Sequence, residues 1–176
     1  MIYGAIGDTS YDIMRFIHVL AAIVGFGSTF VYAVAGGYAR KVRGPQALGA
    51  TEASVRASNI LTTPFTWLTG LIGFGLVGMS DDVWEMTDEW ILGGIFLWLT
   101  GGILAAVVMR PLIKRMVALQ QELVGMSPPR EGVAAAGPPP QVAVLEAVGK
   151  RVGMVSGILH LMFVVVLYLM VFKPGA

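Results

Sequence analysis

Charged side chains are confined to short segments that separate four long apolar stretches of the chain. No Asp, Glu, Lys or Arg occurs in residues 16–39, 57–80, 90–109 or 152–172. Each stretch has at least 20 residues, and an α-helix needs about 20 to cross the hydrocarbon of a bilayer. The pattern therefore predicts an all-α integral membrane protein.

The predicted transmembrane helices span about residues 13–38, 58–79, 90–110 and 152–172. Short connections make consecutive helices antiparallel neighbours, so we expect an up-down four-helix bundle in which the fourth helix returns beside the first. Residues 126–140, rich in proline, alanine and glycine, predict a flexible cytoplasmic linker before the last span. We expect one four-span membrane domain over residues 1–176.

Composition supports the membrane assignment and excludes several kinds of site. Hydrophobic residues make up 56% of the chain and charged residues 13%, against about 25% charged in soluble domains. The absence of cysteine excludes disulfides, thiolate metal sites and cysteine nucleophiles. The net charge is +1 and no basic stripe with interleaved aromatics occurs, so the expected partner is the lipid bilayer and not nucleic acid.

The distribution of charge predicts the orientation in the membrane. The first and third connections contain the basic residues Arg40, Lys41, Arg43, Arg56, Arg110, Lys114, Arg115, Arg130, Lys150 and Arg151. The second connection contains none of these and instead has five carboxylates, Asp81, Asp82, Glu85, Asp88 and Glu89. Because positive residues mark the cytoplasmic side, we expect the acidic loop and both termini on the outer side of the membrane.

The acidic loop has two interpretations. Trp84 and Trp90 suit the headgroup level of a bilayer. The five carboxylates suit a cationic partner or a divalent ion, but such a cluster is more often a solvated loop that enforces orientation.

Pro45 precedes the second span and Pro111 follows the third span, and each adjoins a segment with polar residues. Residues 45–58 are compatible with a short amphipathic helix. Pro111 is expected to end the third span, because proline interrupts helical hydrogen bonding. Residues 112–123 keep helical spacing and predict an extension along or beyond the membrane surface.

The two histidines of the chain, His18 and His160, both lie inside apolar stretches. Each has small residues at helical spacing, and these small faces are typical of helix–helix contacts. Around His18 they are Ala22, Gly25 and Thr29, with Arg15 on the same face; around His160 they are Gly153, Ser156 and Gly157. We expect both imidazoles to face the bundle. The second span has a comparable face of Thr62, Thr66, Thr69, Gly70 and Gly73, which favours helix packing over a polar pathway.

Buried histidines on neighbouring helices suggest a haem b bound between the first and last spans, with His18 and His160 as iron ligands. Arg15, one turn from His18, is then a partner for a propionate. At 1.5 Å per residue the histidines lie about 9 Å and about 18 Å from the outer ends of their spans, a mismatch that helix tilt can absorb. The alternative is that each histidine hydrogen-bonds a neighbouring helix and binds no ligand.

Three stretches carry a resemblance to known membrane proteins. Phe16-Ile-His-Val-Leu-Ala-Ala-Ile-Val-Gly-Phe-Gly27 resembles the first helix of a family of predicted integral membrane proteins of unknown function, of the copper-resistance D proteins and of the HemJ-type protoporphyrinogen oxidases. Leu61-Thr-Thr-Pro-Phe-Thr-Trp-Leu-Thr-Gly70 and Glu89-Trp-Ile-Leu92 resemble the unknown-function family in particular.

The resemblance implies a small bacterial inner-membrane protein of four or five helices with a histidine in its first helix, here His18. By analogy with the HemJ-type enzymes, this histidine is expected to contact haem. A second HemJ-type motif is absent, so oxidase activity is not carried over, and His160 has no assigned counterpart.

Two functions remain open from the sequence. One is a haem-b-binding membrane protein that transfers electrons or handles a porphyrin. The other is a non-catalytic accessory or assembly subunit, which would associate with other subunits of a membrane complex or with copies of itself. The sequence does not decide whether the protein is an enzyme.

Overall fold

A computed structural model describes residues 6–126 and 137–176 of the chain. Within these residues the protein contains helices and connections and no β-strand. The helices are α1 (Thr9–Lys41), α2 (Pro45–Ala57), α3 (Thr63–Gly78), α4 (Glu89–Leu104), α5 (Arg110–Gly125) and α6 (Pro140–Phe172). They form four continuous rods long and apolar enough to cross a membrane. The all-α, four-span architecture is therefore confirmed.

Two of the four rods contain a single π-helical turn just before a proline. Ser58–Thr62 joins α2 to α3, and Ala105–Met109 joins α4 to α5. Pro64 and Pro111 lack a backbone N–H, and in a regular α-helix their rings collide with the carbonyl four residues earlier. The wider turn accommodates the ring. The third rod therefore does not end at Pro111, contrary to the expectation from the sequence, and continues as helix to Gly125.

The rods are longer than a bilayer is thick. α1 and α6 have 33 residues each, or about 50 Å at 1.5 Å per residue, whereas the hydrocarbon core is about 30 Å thick. In α6 the excess is residues 140–151, which lie where α2, α5 and the start of α6 pack together, with Ala47, Thr51, Gln120 and Val148 buried. We call this the basic end, and we call the opposite end, which carries residues 79–88, the acidic-loop end.

The rods associate as two close pairs. α1 packs along α2 and α3, while α4 and α5 pack along α6. Between the pairs, α1 approaches α6 over a short length, and α2 contacts α5 at the basic end. The fourth rod thus lies beside the first, as the sequence predicts. Many large apolar side chains, among them Phe16, Ile23 and Phe96, face away from the bundle, which is the arrangement a lipid environment requires.

The C-terminal end of the chain contacts the acidic loop and the start of α4. The ammonium of Lys173, just after α6, lies 3.8 Å from the centre of the Trp84 ring, and Gly175 lies against Glu89. Which end faces the outside of the cell stays a prediction from the charge pattern. The predicted linker, residues 126–140, falls mostly outside the described residues, between the end of α5 and the start of α6.

Candidate functional site

The contact between α1 and α3 is lined by small and polar side chains. Gly25 is the point of closest approach, since a Cβ placed there would lie 2.9 Å from the backbone nitrogen of Thr66. Two further contacts along the same antiparallel pair join His18 to Gly73 and Ser28 to Thr62. On α1 these positions follow one another at seven and three residues, the spacing of a helix–helix seam. We call this contact the α1–α3 seam.

His18 lies in the seam, toward the acidic-loop end. Its Cε1 is 3.2 Å from the position that a Cβ on Gly73 would occupy, so a larger residue at position 73 would require the ring to shift. The backbone of Thr69 also interacts with the imidazole. Nδ1 is buried and has no hydrogen-bond partner among the described residues. The predicted inward orientation of His18 agrees with this placement, and its unpartnered nitrogen is exceptional because buried polar atoms are normally hydrogen-bonded.

Arg15 lies one turn from His18 toward the acidic-loop end. Its guanidinium pairs with Asp12, with 2.9 Å between Nη2 and Oδ1, and the arginine side chain is 59% exposed. Such an exposed i,i+3 pair contributes little to stability. The guanidinium has five N–H donors and therefore keeps free donors for a further anion.

His160 lies in a different environment, between α6 and α1. Its ring stacks on Phe30, with centroids 4.7 Å apart, and Nε2 lies 3.0 Å from the hydroxyl oxygen of Thr29. That hydroxyl donates its one hydrogen to the carbonyl of Phe26 at 2.6 Å. It must therefore accept from His160, so Nε2 carries the proton.

The structure does not bring the two histidines together. His160 is level with Thr29, and His18 lies eleven residues earlier on the same helix, or about 16 Å along its axis at 1.5 Å per residue. The two imidazoles also face different helices, α3 and α1. A single iron cannot bond both rings in this arrangement, so the predicted pairing of His18 with His160 is not formed.

Beyond Gly25, the seam contains a directed chain of hydroxyl groups. Ser28 donates to the carbonyl of Gly25 at 2.8 Å, which uses its one hydrogen. The 2.8 Å contact between Ser28 and Thr62 is therefore donated by Thr62, and Tyr32 in turn donates to Thr62 at 2.8 Å. Ser28 was not singled out from the sequence. Its signal was available, because Ser28 follows Gly25 by three residues on the face that begins with His18.

Trp98 on α4 connects the two pairs of rods. Its indole nitrogen donates to the carbonyl of Thr66 at 2.9 Å, and its ring occupies the space that a Cβ on Gly70 would need. Trp67 and Phe74 contact the ring edge-on. The aromatic side chains here fill the gap between rods by packing on one another.

A metal site independent of haem has no support in the described residues. No group of three or more His, Asp or Glu side chains in residues 6–126 and 137–176 is arranged to hold an ion. Two buried side-chain atoms of the seam have no hydrogen-bond partner among the described residues, Nδ1 of His18 and Oγ1 of Thr66. No curated protein and no solved structure matches the chain. The model of a family described as predicted integral membrane protein (DUF2269) matches residues 12–174, and the chain belongs to this family.

Proposed function

We propose that the protein binds haem b in a bacterial inner membrane through one imidazole, that of His18, and that it handles or delivers the porphyrin. The observation that supports this proposal is the buried, unpartnered Nδ1 of His18. An ionisable side chain inside a membrane is costly to maintain without a role. This ring nitrogen has no hydrogen-bond partner among the described residues, but it faces Gly73 inside the α1–α3 seam, so iron would bond it only after α1 and α3 move apart around His18.

His160 has a structural role in this proposal. Its Nε2–H is committed to Thr29, and its ring face is covered by Phe30. His18 would then be the one histidine that holds haem. Because the number and kind of protein ligands tune what haem does, this arrangement favours handling of haem or porphyrin over the electron-transfer role of a haem held by two histidines.

Arg15 is the proposed partner of a haem propionate. It lies three residues from His18, about 4.5 Å along the helix at 1.5 Å per residue, and its side chain is 59% exposed at the acidic-loop end. An arginine that pairs a carboxylate on one edge can bind a second on the other. Arg15 would thus bind a propionate at the acidic-loop end, which we propose faces the outside of the cell.

An absorption spectrum tests this proposal. The protein is expressed with haem supplied, purified in maltoside and examined for a Soret band. His18→Gly should lack the band, and imidazole added to this variant should restore it, because a free imidazole can occupy the space of the deleted ring. A wild-type protein without a Soret band, or a His18→Gly variant with an undiminished band, would contradict the proposal.

A second candidate is a non-catalytic accessory or assembly subunit of a membrane complex. It is favoured by the basic end, where α2, α5 and the start of α6 form a folded extension with its own buried residues. The exposed face of α2 carries an open recess of about 520 Å³ whose lining includes Glu52 and Arg56. Native electrophoresis of gently solubilised membranes tests this candidate. Migration in a larger complex that is lost in Glu52→Ala/Arg56→Ala supports it, and migration as a free chain contradicts it.

A further inference from the structure

At the acidic-loop end, two tryptophan rings form a right-angled corner. Trp84 in the loop and Trp90 in the first turn of α4 stand at 89° with their centroids 5.4 Å apart. The ammonium of Lys173 occupies this corner, 3.8 Å from the centre of the Trp84 ring and 5.4 Å from that of Trp90. A cation over aromatic faces at these distances is held by the quadrupoles of the rings.

The corner is built rigidly. Ser80 is fully buried, and its hydroxyl donates to the carbonyl of Val77 at 2.8 Å while accepting the backbone N–H of Trp84 at 3.0 Å. Trp90 is 7% exposed and starts a regular helix. The backbone of Trp84 and the buried side chain of Trp90 are therefore held by the protein itself. The indole N–H of Trp90 is buried without an acceptor among the described residues, so one donor at the corner is unused.

Lys173 is a poor match for the place it occupies. Its backbone is in the left-handed region, at φ 44° and ψ 57°, which is unfavourable for a side chain with a Cβ. Five carboxylates lie in residues 81–89, yet within the described parts of the chain the ion-pair distance of 4 Å from Nζ is reached by no carboxylate. Burial lowers the pKa of Lys173, and the positive charge of Arg15 lowers that pKa further.

These features define the chemistry of a preferred occupant. A primary ammonium has three N–H donors that require hydrogen-bond acceptors, whereas the corner offers it the faces of aromatic rings. A quaternary ammonium has no N–H donors, is weakly hydrated and is attracted by the same ring faces. The surrounding carboxylates attract any cation at longer range.

We propose that the Trp84–Trp90 corner is a binding site for quaternary ammonium compounds of the choline class, and that Lys173 fills it as an internal substitute when no such ligand is bound. Binding then requires the lysine side chain to leave the corner. The site is independent of His18 and of any haem, so it stands or falls separately from the proposed function.

The test uses saturation-transfer NMR on the N-methyl protons of choline, with the full chain in maltoside micelles. Lys173→Ala empties the corner and should bind choline at least tenfold more tightly than the wild type. 3,3-Dimethylbutan-1-ol, which has the same shape without the charge, should bind Lys173→Ala at least tenfold more weakly than choline does. Lys114→Ala, at the basic end, is the matched control and should equal the wild type.

A second variant locates the signal. The double variant Trp84→Ala/Lys173→Ala should bind choline at least tenfold more weakly than Lys173→Ala does, with the elution volume of the folded protein. If this double variant does not fold, Trp84→Phe/Lys173→Ala is used instead and should have an intermediate affinity. Equal binding by the wild type and Lys173→Ala, equal binding of the neutral alcohol, or indifference to Trp84 would each overturn the proposal. Nanodiscs distinguish the source: competition by phosphatidylcholine but not phosphatidylglycerol identifies a lipid headgroup, and competition by neither identifies a soluble cation.

Discussion

His160 donates a hydrogen bond from Nε2 to the hydroxyl of Thr29 at 3.0 Å, across the interface between α6 and α1. This contact fixes the register between the first and last rods. It also separates the two histidines, because Thr29 is three turns of helix away from His18. The last histidine stabilises the contact between the two pairs of rods, and the first one is left with an unused nitrogen.

The pair should show a measurable coupling energy. Thr29→Val, His160→Leu and the double variant form a thermodynamic cycle for unfolding in mixed micelles. Hydrogen bonds between membrane helices average about 0.6 kcal/mol and reach about 1.7 kcal/mol, so we expect a coupling in this range. Additive effects of the two single substitutions would mean that the hydrogen bond contributes nothing to stability.

Gly25 should tolerate no larger residue, because the atoms opposite it belong to the backbone. In Gly25→Ala the new Cβ would lie 2.9 Å from the nitrogen of Thr66 and 3.0 Å from the carbonyl carbon of Phe65, so the two helices must separate. Overpacking of this kind costs about 1–3 kcal/mol. Gly27→Ala on the same helix is the matched control, since nothing lies within 4 Å of its Cβ. Thermal unfolding in maltoside compares them, and equal midpoints would refute the close approach.

Orientation can be measured without background, because the chain has no cysteine. In intact cells a membrane-impermeant maleimide should label Asp82→Cys, in the acidic loop, and should not label Lys114→Cys, at the basic end. Both sites should react after the cells are permeabilised. The charge distribution predicts this result, and the reverse labelling pattern would show that the acidic-loop end faces the cytoplasm.

Choline binding to the wild type should strengthen as the pH rises. The pKa of Lys173 is lowered by burial and by Arg15, so its ammonium loses its proton below the usual value of 10.5 and is then held less tightly by the rings. The other charged groups near the corner are Arg15, Glu89 and the loop carboxylates. Lys173→Ala should show no such dependence. A parallel rise in the variant would assign the effect to another group.

The lowered pKa of Lys173 also makes the free energy of unfolding depend on pH. Between the lowered pKa and 10.5, the unfolded chain holds more protons on Lys173 than the folded chain does. The free energy of unfolding therefore gains a contribution that rises with pH through this window. Below the folded pKa, Lys173 instead imposes a constant destabilisation, which Lys173→Ala removes.

The number of spans could be predicted from the sequence because hydrocarbon excludes charge and fixes helix length. The side-chain contacts could not be predicted as fully. The expected small face around His18 comprised Ala22, Gly25 and Thr29. The seam uses Gly25 as expected, but it also uses Ser28, and Thr29 faces α6. Each residue turns the helix by about 100°, so a shift of one position changes the partner helix.

The candidate sites show the same limit. The depths of His18 and His160 were inferred from span ends, which gave a mismatch of about 9 Å at the helical rise. Their real separation depends on the register of α6 against α1, which is set by Thr29 and Phe30. The sequence predicted that Trp84 and Trp90 lie at the headgroup level. It did not predict that Lys173 contacts them, because this contact depends on the left-handed backbone of Lys173 at the end of α6.

The two histidine variants, titrated with haem side by side, test the central claim most directly. His18→Ala and His160→Ala are purified in maltoside, checked for equal elution volume and compared with the wild type by the height of the Soret band. The separation of the two rings predicts that His18→Ala loses the band and that His160→Ala keeps it, with at most a modest loss of stability. Loss of the band in His160→Ala, or its retention in His18→Ala, would contradict the assignment of haem to His18 alone.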